Sequence, residues 1–380
     1  MPKEINIESP EEKQSLEHLR QRTDAEATRM LRFLAMPDLS RTPGSPVFEV
    51  AQRIVAIDDF KEFTVVRVPE IVPATQSFDL FDFPADHPAR SKSDTYYATD
   101  TQILRPHTTV SWYYYLNSSE AKNKIAKNKS LGVLTYGKVY RKDEIDCRHM
   151  NVFHQMDGYY LAPKDQETIT VEHLKDVLIL IAQAIFGLDI KYRFNKDTFP
   201  YTDPSLEMEI MINDKWIEVL GSGVVKGSVL EKLGVDSKNY TGWAFGFGLE
   251  RLAIVSTELP DIRLLWSNDE RVKRQLKLGN KYQEVSKFPP ITRDISFIVA
   301  KDFVPNNYFD LIRDIGGDLV EEVTLLDKFE NAEKFGADKI SYTYRIVYRS
   351  TERTLETSEI EPLQKQVEVQ TIEQFGATIR

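Results

Sequence analysis

Four stretches of this 380-residue chain combine residue types whose spacing suits chemistry on a phosphate and on an α-ammonium group. In chain order they are SFDLFDFPADHPARSKSDTYY running into LRPHTT, GKVYRKDEIDCRHMNVFHQMDGYYL, FPYTDPSLEMEI with KWIEVLGSG, and TGWAFGFGLERLAIV. The second reads as a strand, a polar loop and a returning strand, with Arg141 and Asp143 on the way out and Gln155 and Asp157 on the way back. Such a hairpin can aim a guanidinium at phosphate, and it can offer an amide and a carboxylate to an ammonium group. A surface hairpin with solvated charges has the same pattern. The fourth stretch sets Gly242, Gly246 and Gly248 among Trp243, Ala244, Phe245 and Phe247, and a helix then opens with Glu250 and Arg251. Glycines let a strand and a helix approach closely, which leaves Arg251 at the helix start beside an apolar floor. Tight strand-to-helix packing alone is the plainer alternative. The third glycine of a dinucleotide fingerprint is missing, so a Rossmann reading is weak.

Positioning these groups falls to β-rich runs between Phe60 and Ile298 (FTVVRV, GVLTYGKVY, NVFHQMDGYYL, EMEIMI, WIEVLG), with helical stretches expected near 168–186 and 224–234. Alternating runs close together in sequence predict a large antiparallel sheet flanked by helices, an α+β fold and not a doubly wound one. Ahead of it, Leu16, Leu19, Ala27, Met30, Leu31 and Leu34 fall near helical spacing, which predicts an amphipathic helix between about Ser9 and Met36 that docks on the body. After Pro289-Pro290 the tail reads strand, helix, strand, strand, helix, strand, the βαββαβ order of a ferredoxin-like domain. The expected division is an N-terminal helical extension over 1–59, a catalytic domain over 60–265, a linker over 266–286 and the ferredoxin-like domain over 287–380.

Composition narrows the field. With 41% apolar and 28% charged residues and no apolar run of membrane-spanning length, the chain does not read as a membrane protein. Cys147 is the only cysteine and the six histidines lack zinc-finger spacing, so neither a disulfide framework nor a structural zinc is expected. A formal charge of −10 argues against a chain coated for non-specific nucleic-acid binding and gives no reason to expect DNA as a partner. Any polyanion site must be local. Asn117 to Ser130, with Lys122, Lys124, Lys127 and Lys129 against Glu120, is one candidate; a solvated surface loop is the plainer reading. The first residues are acidic and polar, unlike a signal or transit peptide. The cytoplasm is the expected location, with the mitochondrial matrix as the alternative.

In their order, the four stretches resemble the signature motifs of class II aminoacyl-tRNA synthetases, and specifically the phenylalanyl-tRNA synthetase family, from about Phe60 to Ile262. Each motif is weak alone and the ordered set is strong. The tail resembles that family's ferredoxin-like anticodon-binding domain, beginning at KFPPITRDISF. The resemblance implies a ligase that joins L-phenylalanine to tRNA(Phe) through a phenylalanyl-adenylate, with ATP as substrate and Mg2+ as cofactor. It further implies the compact single-chain type, a monomer without an editing domain.

Carried over residue by residue, the resemblance implies that Arg141 holds the α-phosphate of ATP and Arg251 the γ-phosphate end. Phe153 and the Arg251 plane would enclose the adenine, and Arg148 and His149 would close over the nucleotide. Glu218 resembles the magnesium-linked carboxylate, with Asp203 a weaker candidate. The amino-acid pocket would use His107, Thr109, Gln155 and Asp157 at its polar end and Phe199, Tyr201, Ala244 and Phe245 around the ring. Three positions depart from the commoner pattern: Thr109 stands for Ser, Asp157 for Glu and Tyr201 for Phe. Asp is one methylene shorter than Glu, which makes a water-mediated contact to the ammonium the expectation. If the Tyr201 hydroxyl faced the pocket it would alter selectivity; pointing away, it would serve packing. A related synthetase for another amino acid, such as phosphoserine, and a non-catalytic paralogue are the rival readings. The apolar wall opposes the first, and retention of Arg141, Gln155, Glu218 and Arg251 opposes the second. In the tail, stacking on anticodon bases is expected from exposed members of Tyr342, Tyr344, Arg345, Tyr348 and Arg349.

Overall fold

The computed structural model describes residues 2–285 and 288–380. The chain divides into two compact units: 1–140 with 152–259 and 273–282, and 141–151 with 260–272 and 283–380. The expected linker end and tail start, at residues 286 and 287, lie outside the described residues.

The first unit is built on an eight-stranded sheet in the order β1-β2-β5-β6-β10-β9-β8-β7. Its strands are β1 (Lys3–Asn6), β2 (Thr64–Arg67), β5 (Leu131–Tyr140), β6 (Val152–Pro163), β7 (Tyr192–Asp197), β8 (Thr202–Ile212), β9 (Lys215–Val225) and β10 (Tyr240–Gly248). Two short strands, β3 (Ile71–Pro73) and β4 (Gln102–Leu104), pair separately. From β5 to β7 every pairing is antiparallel, as expected. At the other edge β1 and β2 pair in parallel, so the sheet is mixed. Every residue of β5 is buried, because a central strand is covered on both faces. Helices Pro46–Val55, Val171–Phe186 and Leu249–Thr257 pack on one another, and the latter two also on the central strands.

The N-terminal amphipathic stretch is two helices, Pro10–Gln21 and Ala25–Ala35. Asp24 causes the break. Its carboxylate caps the second helix by accepting from Ala27 N at 2.9 Å, and it takes both Nε and Nη2 of Arg22. The lysine-rich stretch after Asn117 holds a capped helix, Ser119–Ala126, where a loop was the plainer expectation; there Glu120 pairs with Lys3 and Lys124.

In the second unit the tail has strands β11 (Ile291–Ala300), β12 (Val320–Phe329), β13 (Lys339–Tyr348) and β14 (Thr378–Ile379), ordered β12-β13-β11-β14. With helices Pro305–Gly316 and Thr357–Phe375 this is the ferredoxin-like arrangement. Period-two burial turns Ile295, Phe297, Tyr342, Tyr344, Ile346 and Tyr348 into its core. None of the three tyrosines is therefore on offer for stacking on a base. Arg345 is exposed but pairs with Asp294, and Arg349 pairs with Glu321.

Candidate active site

Strand register assembles the first unit's candidate groups. Thr135, Asp157, Gly246, Gly221 and Glu207 form one row across β5, β6, β10, β9 and β8. Since side chains alternate, Phe153, Gln155, Asp157 and Tyr159 share a face with Ala244, Gly246, Gly248, Gly221 and Gly223. Glycines thus clear the middle of this face. A Cβ at Gly246 would lie 2.7 Å from Asp157 Oδ1, and one at Gly221 would lie 2.8 Å from Phe199 Cζ. Phe199 therefore lies over the cleared floor.

Phe245 does not join it. Alternation sends Phe245 to the opposite face from Ala244, where it packs between Trp243 and Phe247 with ring centroids 6.0 and 5.8 Å away and beside Phe60. Gly158 gives it room, since a Cβ there would sit 2.2 Å from its Cζ. The expectation that Phe245 lines the same ring pocket as Ala244 fails for this reason.

The wall of the cleared face is aromatic. Phe199 and Tyr201 stack at 6.0 Å, Tyr201 lies 6.2 Å from Phe83, and Phe83 stacks on the His107 ring at 5.9 Å with planes 2° apart. Phe81 meets both Tyr201 and His107 edge-on. Tyr201 packs on the apolar cluster that contains Ala244, Tyr159 and Trp112. Arg90 of the HPAR string donates to Phe83 O at 2.7 Å, which braces this wall. Phe83 was not singled out in the sequence, because a loop residue carries no periodicity to mark its direction.

Polar atoms without partners concentrate here. Gln155 Oε1, Thr135 Oγ1, Thr108 Oγ1, Ser111 Oγ, Trp112 Nε1 and Tyr159 Oη are buried with no hydrogen-bond partner among the described residues. Each such group has a desolvation cost, and their gathering in one region is what a polar ligand or ordered water would relieve. Complete burial pushes the Tyr159 phenol well above its ordinary value, so it stays neutral. Asp157 is 6% exposed and Thr109 is buried in the turn after His107.

Glu218 reaches the same face through a bulge. Between the pairs Met208–Leu220 and Glu209–Glu218 one residue of β9 is extra, which returns Glu218 to the side of Gly221. Its Oε1 lies 3.5 Å from Arg251 Nη1, and both side chains are about half exposed. Glu250, one residue before Arg251, is buried instead. Asp203 is not brought to Glu218: it sits by the opposite end of β9, about 20 Å along the strand at 3.3 Å per residue. Asp203, the weaker metal candidate, is thus placed away from Arg251 and Glu218.

Arg141, Arg148 and His149 belong to the second unit. The Arg141 amide donates to Asn151 O at 3.0 Å. Asp146 accepts from the Arg148 and His149 amides at 2.6 and 2.8 Å, and its other oxygen meets His149 Nδ1 at 2.7 Å. Burial raises the Asp146 carboxyl, but these donors outweigh it and hold it below its ordinary value.

This mixed, glycine-cleared sheet with Arg251 at the start of its helix is the core of a class II aminoacyl-tRNA synthetase. Residues 35–276 match the family described as tRNA synthetases class II core domain (F), and residues 286–380 match the ferredoxin-fold anticodon binding domain. The chain is 40% identical to the chloroplastic/mitochondrial phenylalanine–tRNA ligase of Arabidopsis thaliana, over 82% of this chain and 71% of that one. It is 37% identical to the mitochondrial enzyme of Mus musculus (82% and 74%) and 31% identical to that of Saccharomyces cerevisiae (87% and 86%). The chain belongs to the phenylalanine–tRNA ligase family, in its single-chain type. No described helix is long and apolar enough to cross a membrane.

Proposed function

We propose that the chain activates L-phenylalanine with ATP and passes the phenylalanyl group to tRNA(Phe), as a monomer without an editing domain and in an organelle. The organellar relatives favour that location over the cytoplasmic expectation. In the first step a carboxylate oxygen of phenylalanine attacks the α-phosphorus, and diphosphate leaves. In the second, a ribose hydroxyl at the tRNA terminus attacks the acyl carbon, and AMP leaves. The attacking carboxylate is already ionised, so no general base is needed and positioning with electrostatics supplies the acceleration.

The observation that carries this reading is the unpartnered Gln155 Oε1 on the face that also holds the buried Asp157, with Phe199 over the glycine floor and stacked on Tyr201. An α-ammonium group supplies the donors that these oxygens accept, and the apolar wall takes the ring. Arg141 and Arg251 hold the phosphates, Phe153 the adenine, and Arg148 and His149 cover the nucleotide. His107 and Thr109 complete the polar end.

No cluster of three or more acidic, histidine or cysteine side chains forms a metal cage among the described residues. The half-exposed Glu218 beside Arg251 fits magnesium, which takes one or two carboxylates and completes its shell with phosphates and water. Bound there, the ion would neutralise charge on the ATP phosphates.

Pyrophosphate exchange assayed with each of the twenty amino acids should respond to phenylalanine and far less to any other. Exchange dependent on a different amino acid, or on none, would overturn the proposal. Ala244→Gly should additionally admit para-chloro-phenylalanine, while phenylalanine itself loses about 1 kcal/mol of packing, roughly fivefold. A variant that stays active yet still excludes the chloro analogue removes Ala244 from the pocket.

Gly246→Ala tests the ammonium end. Its new Cβ would press on Asp157 Oδ1 at 2.7 Å, and the carboxylate must shift. Hydrogen bonds to charged groups contribute about 1.5–3 kcal/mol, so KM for phenylalanine should rise about 10- to 100-fold while KM for ATP changes little. Equal rises in both constants would show general damage to the sheet.

A further inference from the structure

Between Phe153 and Gln155 lies a histidine that no role above uses. His154 is fully buried and points away from the cleared face. Its backbone N–H donates to Glu250 Oε1 and Oε2 at 2.9 and 2.8 Å, and its ring Nδ1 lies 2.6 Å from Glu250 Oε1. On the other side of the ring, the Leu39 amide donates to Nε2 at 2.9 Å. An Nε2 that accepts leaves the ring N–H at Nδ1, which donates to Glu250 Oε1. Asp38 Oδ1 stands 3.3 Å from Nε2 and itself accepts from the Ser40 amide and hydroxyl.

One ring therefore ties three pieces of chain. The 3-10 turn Leu39–Arg41 fixes the ring, the ring fixes Glu250, and Glu250 is the neighbour of Arg251 in the first turn of helix Leu249–Thr257. Glu250 also pins the β6 backbone between Phe153 and Gln155. The geometry points to His154 as a positioning residue for activation: with Glu250 it sets Arg251 against the strand that carries Phe153 and Gln155. This rests on the phosphate, adenine and ammonium roles proposed above. A buried carboxylate that accepts three hydrogen bonds holds its helix turn in one place. Losing that hold lets the guanidinium drift, and a displacement of about 1 Å is enough to cost ~100-fold in a positioned reaction.

Two substitutions separate the two sides of the ring. His154→Asn places an amide N–H near the Nδ1 position and keeps the donor to Glu250, whereas His154→Gln reaches the Nε2 position, keeps the acceptor for Leu39 and abandons Glu250. In pyrophosphate exchange with the full chain, His154→Gln should raise KM for ATP about 10-fold or more. His154→Asn should stay within about threefold of the parent. Glu250→Gln, which keeps the size and one acceptor oxygen, should resemble His154→Gln and serves in its place if that variant fails to fold. A merely structural pair would lower the melting temperature in all three variants and leave KM of the folded protein unchanged. KM for ATP within twofold of the parent in His154→Gln or Glu250→Gln overturns the inference. A parent without phenylalanine-dependent exchange overturns the proposed function instead, so the two failures are distinguishable.

Discussion

Arg251→Ala should abolish phenylalanine-dependent pyrophosphate exchange, and Arg141→Ala should do the same, with both variants folded. Arg251 projects from the first turn of its helix, about half exposed, and reaches Glu218 Oε1 at 3.5 Å and its carbonyl at 3.3 Å. Exposed ion pairs of that kind contribute little to stability, so truncation should leave the melting temperature within a few degrees. Exchange is another matter. Charge builds on the phosphates as diphosphate departs, and a guanidinium aimed there matches it with two donors and a full charge. Removing one arginine that stabilises a phosphoryl-transfer transition state typically costs roughly 10³-fold or more. Arg251→Lys keeps the charge and loses the planar fork, so it should recover only a small part. Near-normal exchange in either alanine variant would refute the phosphate roles and, with them, the motif assignment.

What the sequence made legible follows from periodicity. The tail's strand order could be read because period-two burial runs through β11 and through Tyr342–Tyr348 of β13, and the returning strand of the hairpin because it does so, more briefly, through Val152–Met156 of β6. The same rule, applied one step further, separates Ala244 from Phe245. Adjacent strand residues face opposite ways, so a motif that names both cannot place both in one pocket. Glu218 shows the reverse difficulty: only the bulge in β9 returns it to the site face, and a bulge leaves no mark in the pattern of residue types. FTVVRV reads as a β-rich run and is β2, but the edge strand β1 and the parallel pairing of both were hidden, because their partners lie far away in sequence. Phe83 and Thr135 escaped notice for different reasons. Phe83 lies in a loop, and Thr135 looks like any β-branched residue of a strand until its register opposite Asp157 and its unpartnered Oγ1 are known. Alternation requires about half of Tyr342, Tyr344, Arg345, Tyr348 and Arg349 to be core, and the structure gives that place to all three tyrosines.

Deleting residues 287–380 should depress tRNA charging far more than exchange, by about 100-fold against less than about 10-fold, since a tRNA site lost with the tail leaves every group assigned to adenylate chemistry in the chain. The tail has its own four-stranded sheet and most of the second unit's core, so its removal takes away no strand of the eight-stranded sheet. Its loss does reach residues 141–151. The buried Asp310 accepts from Asn151 Nδ2 at 3.1 Å, Arg313 donates to the carbonyls of Asp143 and Glu144, and Val323 N donates to Ile145 O. Those bonds order the segment that carries Arg141, Arg148 and His149, so exchange should fall by several-fold and not stay constant. Asp310→Ala in the full chain isolates that share, because it removes the buried partner of Asn151 and spares the tail surface. It should reproduce most of the loss of exchange seen on deletion while charging falls no further than exchange does. Exchange and charging that collapse together on deletion, with aggregation, would mean that the tail supports the catalytic sheet itself. A deleted chain that charges tRNA as well as the parent would remove the tail from tRNA binding altogether, because no binding energy could then come from it.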